Sequence, residues 1–281
     1  MRRFQEQLQA AQENGEWYPG QRQRDARIET TLEKARALDG PNGTNPTRRD
    51  PLVLDLNNND IQTTNAATNG LHFDHDSNGF AEATGWLNPD DAFLAFDRNG
   101  NGTIDTGLEL FGDQTLLRSG AKASSGLQAL SEWDSNHDGQ IGAADTRFAD
   151  LRAWTDANQD GISQADELHT LTDAGIASIS LAGTATNAPA DANGNTLTRT
   201  GSFIRSDGST GLAGEIAFRR DTALSIPVTN YTVTDTIAAQ PDLSGYGNLL
   251  DLHQALAKED AVLIAAGGTA GTLREWTGCK P

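Results

Sequence analysis

Asp156-Ala-Asn158-Gln-Asp160-Gly161, closed by Glu167, places oxygen-bearing side chains at positions 1, 3, 5 and 12 of a loop whose sixth residue is glycine. Alternate residues then aim their oxygens at one centre, the glycine permits the sharp turn, and the terminal glutamate can offer two oxygens. That all-oxygen cage suits a hard divalent cation, Ca2+ above all, and the spacing is that of an EF-hand loop. Asp134-Ser-Asn136-His-Asp138-Gly139 repeats it, with Ile141 at the eighth position and Asp145 at the twelfth. A third loop carries Asp97, Asn99, Asn101 and Asp105, with Leu108 at position 12 and Glu109 one later. A fourth has Asp74, Asp76 and Asn78, with Glu82 at position 9. Asp55, Asn57 and Asn59 form the loosest copy, because Asp60 replaces the turn glycine. Asp191-Ala-Asn193-Gly-Asn195 reads as a turn only. One such loop is also an ordinary Asx-rich turn, but four in matching register point to bound calcium, about four ions in all.

The charge distribution agrees. The chain has 281 residues and a formal charge of −18. Residues 1–49 hold 9 bases and 7 acids, residues 50–170 hold 5 and 21, and residues 171–281 hold 7 and 11. The middle segment alone is therefore −16, a density that opposes compaction unless cations bind, so it is expected to fold poorly without calcium. This balance excludes nucleic acid as a partner, since phosphate contacts need clustered Lys and Arg. No apolar stretch approaches the roughly 20 residues of a membrane span. The N-terminal MRRFQEQLQAAQENGEW lacks the apolar core of a Sec-type signal peptide. Cys279, the single cysteine, has no internal partner.

Other candidates are weaker. Asp105-Thr106-Gly107 spells an aspartic-protease tripeptide, but no second copy exists to share the proton. His72 and His75 flank Asp74 and Asp76, yet hard-oxygen spacing dominates over zinc chemistry there. Trp86, Trp133 and Trp154 beside the loops read as core.

The elements that must position these loops follow from periodicity. Residues 1–38 read as two short amphipathic helices, with Phe4, Leu8 and Ala11 on one face and Ile28, Leu32 and Ala35 on another, followed by a Gly/Pro/Asn linker over 39–49. PLVLDL after Asp50-Pro51 reads as a strand. GLQALSEW and AADTRFADLRAW, before and after the 134–145 loop, read as helices, so the last two loops would share a helix in a pair that resembles the dockerin type. ASISLAG, TRTGSFIR and GEIAFRR suggest a small antiparallel sheet, with a turn at Asp207-Gly208. A Gly-rich turn at Ser244–Gly247 precedes an expected helix, Leu249–Lys258. The fold class read from this is α+β, a calcium-loop-rich module with a loop-helix pair and small antiparallel sheets. Its three segments are 1–49, 50–220 and 221–281.

The Asp50-Pro51 pair gains meaning from the residues on its C-terminal side. The run DPLVLDLNNNDIQTT, then FDHDSNGFAEATGWLNPDDAFLAFDRNGNGTIDTGLELFGDQT, then SEWDSNHDGQIGAADTRFADLRAWTDANQDGISQADEL, closely resembles the self-processing modules of iron-regulated RTX proteins of Gram-negative bacteria, over about residues 50 to 220. The resemblance implies calcium-triggered cleavage of the Asp50–Pro51 bond, with Asp50 as nucleophile and Pro51 as the new N-terminus. It also implies transfer of the Asp50 carboxyl to lysine amines, including those on other protein surfaces, and a secreted or cell-surface location reached by type I secretion. The chemistry is sound on its own terms. A carboxylate two carbons from its own peptide carbonyl can close a five-membered anhydride, and proline's tertiary amide twists and departs more readily than an ordinary one. Where the family carries DLDGDGIE, this chain has DLNNNDIQ, with fewer carboxylates beside the bond, and RTX nonapeptide repeats are absent. Only Lys34, Lys122, Lys258 and Lys280 could serve as internal acceptors, which favours hydrolysis or an external lysine. The alternatives are a non-catalytic, calcium-stiffened module of a secreted adhesin or toxin, and a dockerin-like binding module.

Overall fold

Leu52–Asp55 (β1) is the organising strand: Leu52 and Leu54 face one apolar cluster, Val53 faces another, and none of the three is accessible to solvent. A strand covered on both faces reads as an unbroken apolar run, which is what LVL is. Each such side chain contributes about 1.5–3 kcal/mol by burial. The computed structural model describes residues 50–265. The chain divides into two units, Met1–Thr47 and Arg48–Pro281, and only the second holds described residues. The two amphipathic helices expected over 1–38 and the 39–49 linker lie outside them.

β1 sits inside a sheet that is antiparallel throughout. On one side it pairs with Asp91–Ala95 (β6), which continues to Arg152–Trp154 (β8) and Leu168–Thr170 (β9). On the other it pairs with Thr210–Ala217 (β13), then Thr196–Arg205 (β12), Ile176–Ser180 (β10) and Gln140–Gly142 (β7), with Thr184–Ala185 (β11) beside β12. Two smaller sheets complete the described β-structure. His72–Phe73 (β3), Phe80–Thr84 (β4) and Arg220–Pro227 (β14) form one, and Thr63–Thr64 (β2) pairs with Trp86–Leu87 (β5) in the other. β14 crosses position 220/221. Cluster one (Leu52, Leu94, Phe111, Leu130, Trp133, Phe203 and neighbours) and cluster two (Val53, Phe73, Trp86, Phe93, Trp154, Phe218 and neighbours) lie on opposite faces of the β1–β6 pair.

This corrects the α+β expectation. The structure is mostly antiparallel β, and the described helices are few: Gly126–Ser131 (α1), Asp235–Ala238 (α2) and Leu252–Ala265 (α3). No dockerin-like pair is present among the described residues. GLQALS is α1, capped by Ser125, whose Oγ accepts the Gln128 N–H at 3.1 Å. The second expected helix is instead a turn, a single 3-10 turn at Phe148–Asp150 and strand β8. Cross-strand packing of Trp154 on Phe93 overrides the local helical pattern there.

Candidate functional site

Five loops share one backbone geometry. The first aspartate of each accepts N–H groups from positions 5 and 6. Asp55 takes Asn59 and Asp60, Asp74 takes Asn78 and Gly79, and Asp97 takes Asn101 and Gly102. Asp134 takes Asp138 and Gly139, and Asp156 takes Asp160 and Gly161. Position 4 is left-handed in all five, with φ of 64° at Asn58, 57° at Ser77, 74° at Gly100, 60° at His137 and 61° at Gln159. Position 6 is left-handed as well, on glycine everywhere except Asp60 at 66°. The four non-glycine residues at position 4 and Asp60 accept an unfavourable conformation so that the loop oxygens stay in register.

Three loops are closed by their own carboxylate. Asp145 accepts Ser135 N–H at 2.7 Å and Gly142 N–H at 2.9 Å; Glu167 accepts Ala157 at 2.9 Å and Gln164 at 3.3 Å. In both cases the donors are loop positions 2 and 9. Glu109, though one residue late, does the same with Arg98 at 3.1 Å and Asp105 at 2.9 Å. The short 3-10 turn Gly107–Glu109 absorbs the extra residue. Asp156 also accepts Trp86 Nε1–H at 2.7 Å, which fixes its loop to cluster two, and burial pushes its carboxyl above the ordinary range.

The Asp74 loop differs. It has no carboxylate at position 12, and its position-9 Glu82 turns inward to the guanidinium of Arg220 at 3.2 Å, with Asp76 at 3.9 Å from the same nitrogen. Burial raises the Glu82 carboxyl to about 7, opposed by Arg220 and reinforced by Asp76 and Asp74. This loop therefore already holds an internal cation. The Asp55 loop ends without any carboxylate of its own. Asp91 of β6 reaches it instead, accepting Gln62 N–H at 2.8 Å. Burial, then Asp55 and Asp90, raise Asp91 to about 6, opposed by the amides of Gln62 and Leu56. Neither Asp91 nor Arg220 is singled out by spacing, because each arrives through strand pairing rather than local sequence.

Among the described residues, no three His, Cys, Asp or Glu side chains converge into a ready cluster; each loop mixes carboxylate, amide and backbone oxygens. The donor chemistry of the Asp97, Asp134 and Asp156 loops fits a calcium ion: oxygens at positions 1, 3 and 5, plus a buried closing carboxylate. Those oxygens keep lone pairs beyond the ones spent on N–H groups. Asp74, Asp76, Asn78 and Glu82 fit poorly while Arg220 is in place.

The Asp50–Pro51 bond lies at the edge of this framework. Pro51 is buried, its carbonyl accepts Ile216 N–H at 3.3 Å, and Leu52 N–H donates to Phe111 O at 2.7 Å. Gly112 stacks so closely that a methyl group placed on it would meet Asp50 O at 3.1 Å and Pro51 Cα at 3.2 Å. Next to it, Asp113 N–H donates to Asp50 Oδ1 at 3.2 Å. Burial raises the Asp50 carboxyl to about 7, and the charges of Asp113 and Glu215 add to the rise. A cavity of about 10 Å³, about one water in size, is lined by Pro51, His75, Gly107, Leu110, Gly112, Asp113 and Gln114. Lys122 Nζ donates to Gln114 Oε1 at 2.5 Å, so one lysine amine lies next to a residue of that wall. His75 Nε2 is 2.9 Å from Thr84 Oγ1, and its ring packs against Phe73 and Trp86; it binds no zinc partner set among the described residues.

Residues 52–219 match the family of the SPM domain. The chain is also similar to a protein named iron-regulated protein FrpA from Neisseria meningitidis serogroup C, 46% identical over 209 residues. That match covers 74% of this chain and 19% of the relative, so the chain corresponds to about a fifth of that protein.

Proposed function

Because the chain belongs to the SPM domain family, we propose that it is a calcium-dependent self-processing module that cuts its own Asp50–Pro51 bond. The observation that carries this reading is the Asp113 N–H on Asp50 Oδ1, 63 residues away in sequence. It ties the Asp50 side chain to the framework, while hydrogen bonds to Leu52 and Pro51 fix the leaving side. An Asp50 side-chain oxygen attacks the Asp50 carbonyl carbon and closes a five-membered anhydride. The C–N bond to Pro51 breaks, and the proline nitrogen takes a proton to become a secondary amine. Water then opens the anhydride to an aspartate C-terminus, or a lysine amine opens it to an amide. Orientation of this kind supplies effective molarities of roughly 10^5–10^8 M.

Calcium, when bound to the Asp97, Asp134 and Asp156 loops, would supply positive charge against a −16 segment and so favour the compact state. Export to the cell surface or medium, where calcium is plentiful, is part of this reading and rests on the resemblance to the modules of iron-regulated RTX proteins. No described helix is long and apolar enough to cross a membrane.

Incubation of the full chain with millimolar calcium, followed by intact-mass measurement, tests the reading. The expected products are residues 1–50 and 51–281, or a 1–50 segment joined to a lysine-bearing protein added to the mixture. A chain that takes up calcium, folds, and keeps its intact mass refutes cleavage and leaves a calcium-stiffened structural module.

A further inference from the structure

We propose that Asp91 completes a cation site in the loop Asp55–Gln62, supplying from strand β6 the carboxylate that the loop itself lacks. This rests on the calcium reading above and extends it to a residue outside every loop motif.

The loop has the same backbone as its four counterparts, but its twelfth position is Ala66, a buried methyl. Asp91 stands directly across from Asp55 in the β1–β6 pairing and is 1% exposed. Its Oδ2 accepts the N–H of Gln62 at position 8, one residue before the amide that Asp145 and Glu167 hold in their own loops. Its Oδ1 is buried and has no partner in good hydrogen-bond geometry, although the Leu56 amide lies near enough to the carboxylate to ease its charge. A buried carboxylate oxygen without a partner is costly and uncommon. The closing carboxylates of the other three loops accept N–H groups on both oxygens, so the incompletely satisfied Oδ1 of Asp91 is the exception that a bound cation would account for.

The charges around this point agree. Asp55 faces Asp91 from β1, Asp60 sits in the loop, and exposed Asp90 lies in the turn just before β6. Arg205 of β12, the guanidinium that reaches the loop, is spent on carbonyls: its Nη2 donates to Asp55 O at 2.7 Å and Leu56 O at 3.2 Å. The carboxylates keep their charge for something else. Side-chain oxygens of Asp55, Asn57, Asn59 and Asp91 form a hard, doubly anionic donor set, the class that takes a divalent ion of the calcium type. Substitution of DLDGDGIE by DLNNNDIQ therefore does not remove the site, because one of its charges comes from another strand.

Calorimetric titration of calcium into the full chain tests this, with wild type, Asp91→Asn, Asp55→Asn and the double variant. Each single variant should bind one ion fewer than wild type at concentrations that saturate the rest, and the double variant should lose that same ion and no other. A wild-type ion count in Asp91→Asn overturns the proposal. A wild-type chain that takes up no calcium at all removes the underlying reading instead, a different result. Should Asp91→Asn not fold, amide exchange in the wild type decides. Calcium should slow exchange at Asn58–Gln62, and unchanged exchange there while residues 134–167 become protected overturns the inference.

Discussion

Asp50 holds its proton more tightly in the fold than in an unfolded chain, about 7 against 3.8. A proton favoured by the folded state means that stability falls as pH rises from about 4 to about 7. The nucleophile, by contrast, is the ionised form, so scission should speed up over the upper part of that window. The expected outcome is a cleavage rate in saturating calcium that climbs through about pH 7, read as fragment mass against time. Asp50→Asn should abolish cleavage and, by removing a half-buried charge, raise the stability of the folded chain above pH 7 by roughly 1–3 kcal/mol, measured by urea unfolding. Gly112→Val should slow cleavage without unfolding the sheet, because its side chain would push Asp50 O and Pro51 Cα from contact. Arg220→Met leaves Glu82 and Asp76 without their partner; it should cost about 3–5 kcal/mol in chelator and make the Asp74 loop newly responsive to calcium, both readable from melting curves.

At the scale of elements, what was legible in the sequence was local. The Asx-Gly spacing of the loops, the LVL strand after Pro51 and the helix begun by GLQALS each depend on residues a few positions apart, and each is present. The helix expected over AADTRFADLRAW is not, because Leu151, Ala153 and Trp154 are buried by partners on β6 and β9 that local periodicity cannot see. The contacts that build the site are of the same long-range kind: Asp113 on Asp50, Asp91 at the Asp55 loop, Arg220 at the Asp74 loop. Glu109 was legible only as an offset ligand, since the 3-10 turn that restores its alignment is set by tertiary packing. Strand β1 ties the two chemistries together, with the Asp50–Pro51 bond at one end and the Asp55 loop at the other. Leu54→Ala should therefore cost about 2–5 kcal/mol and slow cleavage together with the loss of fold, which urea unfolding and fragment mass would report in parallel.

For the molecule as a whole, charge decides when the fold forms. A net −16 over residues 50–170 is compressed into a sheet whose loops crowd carboxylates together. Burial has already raised Asp74, Asp91 and Asp156 above their ordinary range. Two kinds of positive charge can relieve this. A divalent ion seated in a loop acts at contact distance and is hardly screened, whereas monovalent salt acts only by shortening the Debye length, from about 30 Å at 0.01 M to about 3 Å at 1 M. The two should therefore separate cleanly in thermal melts followed by circular dichroism. In chelator, raising sodium chloride across that range should raise the melting temperature, because the repulsion being screened is diffuse. In saturating calcium the same salt series should change it little, because the ions have already neutralised the loops. Sodium chloride should restore stability without restoring cleavage at the calcium-saturated rate, since screening does not order the loops flanking β1. Equal salt dependence with and without calcium would mean that the acidic loops bear their charge unaided.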